Sequence, residues 1–269
     1  MSIRAIIILN ICFVSFCLQE GNAQSPYDMN WKEESFHLGV GAVTFTTGLV
    51  FASQVKGLTN EEIAAHNRYD VNAFDRPATY NSSHQAKTAS DVLLVTSYLL
   101  PLSLLASKNT RKDFGKIAIL YGETVFIATG VTYFTKGVVL RSRPFVYNED
   151  FAISEKKKVN ARHAFFSGHT SLTAASCFFT AKVFSDYFPD SKYKPFVWAG
   201  AIIVPAAVGY FRVAAGKHFP TDVIAGYAIG AAVGFLIPQL HKKIKVGNAD
   251  TNINLTLGAT GASLKWALN

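Results

Sequence analysis

Five apolar runs, at residues 91–107, 114–135, 170–185, 195–215 and 223–240, limit what this chain can become. A helix of about 20 mostly apolar residues crosses a bilayer, so the later runs reach spanning length, while the first and third are short. The loops between the runs carry charge unevenly. SKNTRKDFGK, DSKYK and HKKIK, at alternate turns, are rich in lysine and arginine, which places those loops on the cytoplasmic side and the intervening ones outside. Glu123 lies inside the second run, and Asp91 and Arg212 stand at run ends, within reach of water. Only 16% of residues are charged, against roughly 25% in an ordinary soluble domain. The expectation is an all-α bundle with about five transmembrane helices. The net charge of +8 is not read as nucleic-acid binding, because no aromatic or glycine framework of such a module accompanies it.

The termini read differently. MSIRAIIILNICFVSFCLQEGNAQS has Arg4, an apolar stretch and small residues at Gly21 and Ala23, the pattern of a signal peptide spanning residues 1–23. A lipoprotein reading would use Cys17 but meets Phe16 where a small residue is wanted. Cleavage would leave Cys177 alone, so no intrachain disulfide is expected. Residues 24–90 form an N-terminal segment and outer loop. Its apolar stretch 38–54 is rich in glycine and threonine and, after a cleaved signal, could not span without inverting the rest. An interfacial or buried outer helix is expected there. In the tail, residues 246–269, Ile253, Leu255 and Leu257 alternate with Asn254 and Thr256, and GATG offers a turn, so a short strand-like hairpin is expected.

Three outward segments carry chemistry. KGVVLRSRPF separates Lys136 and Arg143 by seven residues, which on a helix puts two cations on one face. Such a pair suits an anion with several oxygens, or else snorkels at the headgroup level. FFSGHTSL sets Ser167, Gly168 and His169 at the entry of an apolar helix, where unpaired N–H groups and the helix dipole favour an anion and a histidine can deliver a proton. A serine N-cap with an incidental histidine is the plain alternative. FRVAAGKHFPTDVIAG brings Arg212, then His218 and Asp222 four apart, so that on a helix a carboxylate could orient an imidazole for attack. An ordinary surface contact is again the plain alternative. His163 and Arg162 read as a solvated loop pair, and Asp75, Arg76 and His84 lie in an outer loop where a structural salt bridge is expected, with a lid as the alternative.

Taken together, the three segments resemble the type 2 phosphatidic acid phosphatase superfamily, whose pattern is Lys-x6-Arg-Pro, Pro-Ser-Gly-His and Ser-Arg-x5-His-x3-Asp. KGVVLRSRP matches fully, FSGH has Phe166 for proline, and FRVAAGKHFPTD has Phe211 for serine. The resemblance covers residues 91–240, within an expected domain at 91–245. It implies the family's helical bundle and a phosphohistidine mechanism with no metal or other cofactor. His218 would attack phosphorus, Asp222 would orient it, and His169 would protonate the leaving oxygen. Lys136, Arg143, Arg212, Ser167 and the Gly168 N–H would hold the phosphoryl oxygens.

The expected substrate is a lipid phosphate or diphosphate at the outer face of a bacterial inner membrane: undecaprenyl diphosphate, lipid A, phosphatidylglycerol phosphate or phosphatidic acid. A mean hydropathy of only +0.20 keeps open a soluble periplasmic acid phosphatase, and vanadate-dependent haloperoxidases share the same clamp. A lipid-phosphate-binding protein without turnover is the non-enzymatic alternative.

Overall fold

The computed structural model describes residues 25–29, 31–245, 253–258 and 261–266; the expected signal peptide lies outside them. Six long helices build the bundle: α1 (Trp31–Gln54), α2 (His84–Leu99), α3 (Phe114–Val138), α4 (Gly168–Tyr187), α5 (Lys194–Ala214) and α6 (Pro220–Leu240). A 3₁₀ segment, Leu100–Ala106, prolongs α2.

Among the described residues, five stretches are long and apolar enough to cross a membrane: Glu34–Gln54, His84–Ala106, Phe114–Val138, Lys194–Ala214 and Pro220–Leu240. Their outer faces expose Val43, Val95, Ile203, Tyr210 and Ile224, as lipid contact requires. The number matches the sequence reading, but the membership does not. The run at 170–185 belongs to α4, a polar inner helix with Thr170, Ser171, Thr173 and Ser176 buried, and fourteen of its twenty residues are shielded. It is the axis that the other helices surround, most closely α6, α5 and α3.

The stretch 38–54 lies in α1, long and apolar enough to span and packed against the bundle: it stands lengthwise along α3 and runs in the same direction, Gly41 meeting Phe126, Gly48 the backbone of Phe134, and Gly137 the Cβ of Phe51. Glycine at each crossing lets the two backbones approach, the small-residue packing that associates helices where lipid removes the hydrophobic drive. Consequently the Trp31 end of α1 lies at the same end of the bundle as the start of α3, where Lys108, Arg111, Lys112 and Lys116 cluster.

A second glycine ladder joins α4 to α6. A Cβ on Gly226, Gly230 or Gly234 would collide with the carbonyl oxygen of Ser167, Ser171 or Ala175 respectively, so the helices touch backbone to backbone at four-residue intervals. This ladder fixes the start of α6 against the start of α4. Gly230→Ala is expected to destabilise the bundle by about 3 kcal/mol or more, because rigid backbone rather than a rotamer must yield. Thermal unfolding in detergent checks it, and a loss below about 1 kcal/mol would show that the contact is looser than described.

At the opposite end from the basic cluster, residues 55–83 and 139–167 fold into a cap of short helices around Leu58, Phe145, Val146 and Ala161. Gly216 adopts a positive φ of 64° beneath the Asn81 carbonyl, a turn that Cβ-bearing residues rarely take. Beyond α6 come three antiparallel strands, β1 (Ile244–Lys245), β2 (Ile253–Gly258) and β3 (Gly261–Trp266), with Leu255 opposite Leu264 and Gly258 opposite Gly261. The tail hairpin is the one that the period-two alternation predicts.

Candidate anion site

Four helix ends converge beneath the cap: the C-termini of α3 and α5 and the N-termini of α4 and α6. They bring the motif residues together by routes that the sequence spacing does not reveal. Lys136 sits in the last turn of α3. Its ammonium donates to the His163 carbonyl at 2.9 Å, and its Cε would lie 3.7 Å from a Cβ on Gly168.

Arg143 does not share a helical face with Lys136. The helix ends at Val138, and the chain runs extended to Arg143, which precedes Pro144 with φ −75° and ψ 156°; proline disfavours α geometry in the residue before it. The extended segment is held by Arg143 N–H on the Ala161 carbonyl (2.8 Å) and Ala164 N–H on the Arg141 carbonyl (3.0 Å). Arg143 is buried, and its Nε has no hydrogen-bond partner. Among the described residues no carboxylate pairs with its guanidinium. Burial and the neighbouring Arg212 lower its pKa to about 9, the mark of a cation that lacks a counter-ion.

Ser167 is the N-cap of α4, its hydroxyl accepting from Thr170 N–H (3.4 Å) and Thr170 Oγ1 (3.0 Å). Its own N–H donates to the Asp222 carbonyl at 3.0 Å. The plain capping role therefore holds for Ser167, and Gly168 and His169 open the first turn, where N–H groups lack intrahelical acceptors. His169 Nε2 lies 2.8 Å from Asp91 Oδ1, and the same oxygen accepts from Arg212 Nη1 at 3.2 Å. Arg212 also reaches Ser90 Oγ at 3.3 Å. Asp91 is inside α2, which begins at His84, seven residues before the expected run.

His218 is fully buried one residue ahead of the α6 N-cap, so it and Asp222 are not a helical pair. Its Nδ1 donates to the Ala164 carbonyl at 2.7 Å, while Asp222 Oδ2 stands off at 3.7 Å. The backbone carbonyl, not the expected carboxylate, takes the proton and fixes the tautomer. Asp222 instead accepts from Phe219 N–H at 2.8 Å, capping its own helix. Burial first, then Arg143, Lys136 and Arg212, hold the His218 pKa well below that of an ordinary histidine. The ring is thus neutral, with Nε2 carrying the free lone pair.

The residue that the motif reading passed over is Arg141. Its Nη1 donates to Asp222 Oδ1 (2.5 Å) and Thr221 Oγ1 (2.8 Å), and Nη2 to Asp75 Oδ2 (2.7 Å). The guanidinium also lies over the Phe219 ring, 4.2 Å from its centroid. Asp75 in turn accepts from Thr221 N–H and Oγ1, so the loop expected to hold a salt bridge does hold one, across the chain. Asp75 and Asp222 are both fully buried. Removing Arg141 would leave two buried carboxylates uncompensated, which ordinarily costs 3–5 kcal/mol. Because Arg141 keeps 27% of its side chain exposed, Arg141→Met is expected to cost about 3 kcal/mol, relieved in part by adding Asp75→Asn. Chemical denaturation of the two variants checks this, and equal loss in both would contradict it.

Around the site, Arg162 pairs with Glu62 (2.5 Å) and the Lys56 carbonyl (3.1 Å), stitching the cap. Lys217 lies over the rings of Phe145 and Phe151, and burial lowers its pKa to about 8. Phe166 is fully buried, whereas Phe211 is partly exposed.

Five apolar helices favour a membrane protein, and the buried cations at four converging helix ends, Arg143 without a carboxylate partner among the described residues, make a candidate anion site. Residues 117–245 match the PAP2 superfamily, and this stretch holds Lys136, Arg143, His169, Arg212, His218 and Asp222. The chain is 34% identical over 80 residues to a lipid A 4'-phosphatase of Porphyromonas gingivalis, covering 30% of each chain. It is 35% identical over 83 residues to phosphatidylglycerophosphatase B of Bacillus subtilis, covering 30% of this chain and 41% of that one. It is 30% identical over 138 residues to an undecaprenyl-diphosphatase of Sulfolobus acidocaldarius, covering 51% and 60%. The matched stretches thus span less than two thirds of these relatives. No solved structure matches the chain significantly.

Proposed function

We propose that the chain is a membrane phosphatase that hydrolyses a lipid phosphate or diphosphate monoester through a phosphohistidine on His218. The observation that carries this reading is the neutral, fully buried His218 ring among Lys136, Arg143 and Arg212, with Arg143 lacking any carboxylate partner among the described residues. A phosphoryl group supplies the missing negative charge and places phosphorus where the Nε2 lone pair can reach it.

The chemistry follows from these groups. His218 Nε2 forms a bond to phosphorus as the bond to the lipid oxygen breaks, and His169 delivers the proton to that oxygen; burial and Arg212 lower its pKa to about 4 in the free protein, so it takes up that proton only with the phosphate's negative charge beside it. Lys136, Arg143, Arg212 and the first N–H groups of α4 hold the equatorial oxygens as charge shifts onto them. His169, now neutral, takes a proton from water, whose oxygen displaces Nε2 and releases inorganic phosphate. Arg141 and Asp222 position the His218 turn rather than touch phosphate. Positive charge meeting the reacting group from three side chains does the work that a metal does in other phosphoryl transfers, so we assign none to these steps.

The basic end of the bundle carries Lys108, Arg111, Lys112, Lys192, Lys194, Lys242 and Lys243, so the positive-inside rule puts the site on the outer face of the membrane, in a bacterium the periplasmic face. With α1 spanning parallel to α3, residue 31 then starts on the cytoplasmic side, which competes with cleavage of residues 1–23. The printed names of the relatives point to lipid A, phosphatidylglycerophosphate and undecaprenyl diphosphate as substrates to test, with phosphatidic acid beside them. Detergent-purified protein is expected to release phosphate from at least one of these without added metal. Tight binding of every one of them without release would instead support the non-catalytic reading.

A further inference from the structure

A second polar cluster lies at the other end of the bundle. Glu34 and His37 on α1, Glu123 on α3 and His241 at the end of α6 are all buried, none more than 5% exposed. Glu123 is thirteen residues before Lys136 along α3, about 20 Å at the helical rise, so the cluster is separate from the anion site. Asp186, Lys182, Lys242 and Tyr27 form their own network nearby.

Their geometry is unlike that of an ordinary ion-pair network. His241 Nδ1 donates to the Ile237 carbonyl at 2.8 Å, so in the neutral ring the Nε2 lone pair faces inward. It faces two carboxylates, with Glu34 Oε1 at 3.0 Å and Glu123 Oε2 at 3.7 Å. His37 Nδ1 lies 2.9 Å from Glu123 Oε1, and the imidazoles of His37 and His241 meet edge to face at 5.2 Å. Donor atoms of His37, Glu123 and His241 all fall within 4.8 Å of one another. Yet neither the Glu34 and Glu123 oxygens nor His241 Nε2 is aligned for a hydrogen bond. Among the described residues no lysine or arginine pairs with either glutamate.

Two buried carboxylates with neutral imidazoles carry a charge of −2 among apolar helices, which is costly without a cation. One proton on His241 would halve it; a divalent ion cancels it. The second ring nitrogen of His241 is tied to a backbone carbonyl, as metal-bound histidines ordinarily are. Two imidazoles and two carboxylates converging from three helices suit zinc in tetrahedral geometry.

We propose that Glu34, His37, Glu123 and His241 bind a divalent transition-metal ion, zinc above all, which staples α1 to α3 and to the end of α6. Its role is structural, apart from the phosphate chemistry. The test uses full-length protein in detergent, stripped with chelator, incubated with zinc chloride, desalted and measured for metal content and thermal stability. The expected result is about one zinc per chain and a raised Tm. Zinc content should fall at least about fivefold in His241→Ala and in Glu123→Gln and be unchanged in His218→Ala. Cobalt in place of zinc should give the visible absorption of a tetrahedral site in wild type. Less than about 0.1 zinc per folded wild-type chain would overturn the proposal even if the variants fail to fold. Full zinc retention in a folded His241→Ala or Glu123→Gln protein would also overturn it and leave a proton-sharing network in its place.

Discussion

His218→Ala is expected to lower phosphate release by at least about 10⁴-fold, since removing the nucleophile of a covalent mechanism leaves only binding and charge stabilisation. The fold should tolerate the change. Among the described residues the imidazole makes one hydrogen bond, to the Ala164 carbonyl, and losing it costs about 1–2 kcal/mol. The three cations remain, so inorganic phosphate or vanadate should still raise the Tm of the inactive variant. Initial rates of phosphate release beside thermal unfolding with and without phosphate separate the two effects. Activity within tenfold of wild type would remove His218 from the chemistry.

The second large effect runs in opposite directions for rate and stability. Lys136→Met and Arg143→Met should each lower kcat/KM by about 10²–10³, the usual cost of one preorganised charge-stabilising group. Arg143→Met should not weaken the ligand-free protein, whereas Lys136→Met gives up the bond to the His163 carbonyl and should cost about 1 kcal/mol. Arg143 is buried without a carboxylate partner among the described residues, its pKa held down to about 9 by burial and by Arg212. Replacing a poorly compensated buried cation with an apolar side chain of similar length should therefore leave stability unchanged or raise it by about 1 kcal/mol. The Tm gain from phosphate should shrink in the same variants. A ligand-free Arg143→Met protein less stable by 2 kcal/mol or more would mean that the guanidinium is structurally paired, and the anion-site reading would lose its main support.

Which parts of this arrangement could be read from the sequence follows from the range of the interactions. Lys136, Gly168, His169, Arg212 and His218 are legible because each lies in a short motif, and the helix ends that carry them follow from apolar runs and a serine cap. The route of Arg143 differs from expectation, because seven-residue spacing means one face only while the helix continues, and here the pre-proline segment is extended. The same extension explains why Arg141 was missed: at period two, Arg141 and Arg143 belong to one face of the segment, but only the fold shows that Asp75 and Asp222 await it, 66 and 81 residues away. In the sequence Asp91 reads as a run end because the residues before it are polar, yet Ser83 caps a helix that starts earlier. The place of α4 was lost for the opposite reason. Hydropathy measures composition, and a helix rich in serine, threonine and alanine can be the most buried of all when glycines on its neighbour let the backbones touch.

The most direct test of the proposed mechanism is a rapid acid-free quench of the protein with a phosphate-labelled lipid substrate, followed by peptide mapping. The account predicts an acid-labile, base-stable phosphoryl group on the peptide containing His218, present in wild type, greater when His169→Ala slows its hydrolysis, and absent in His218→Ala. Turnover with no label on His218 at any time, or label on His169 instead, would contradict it.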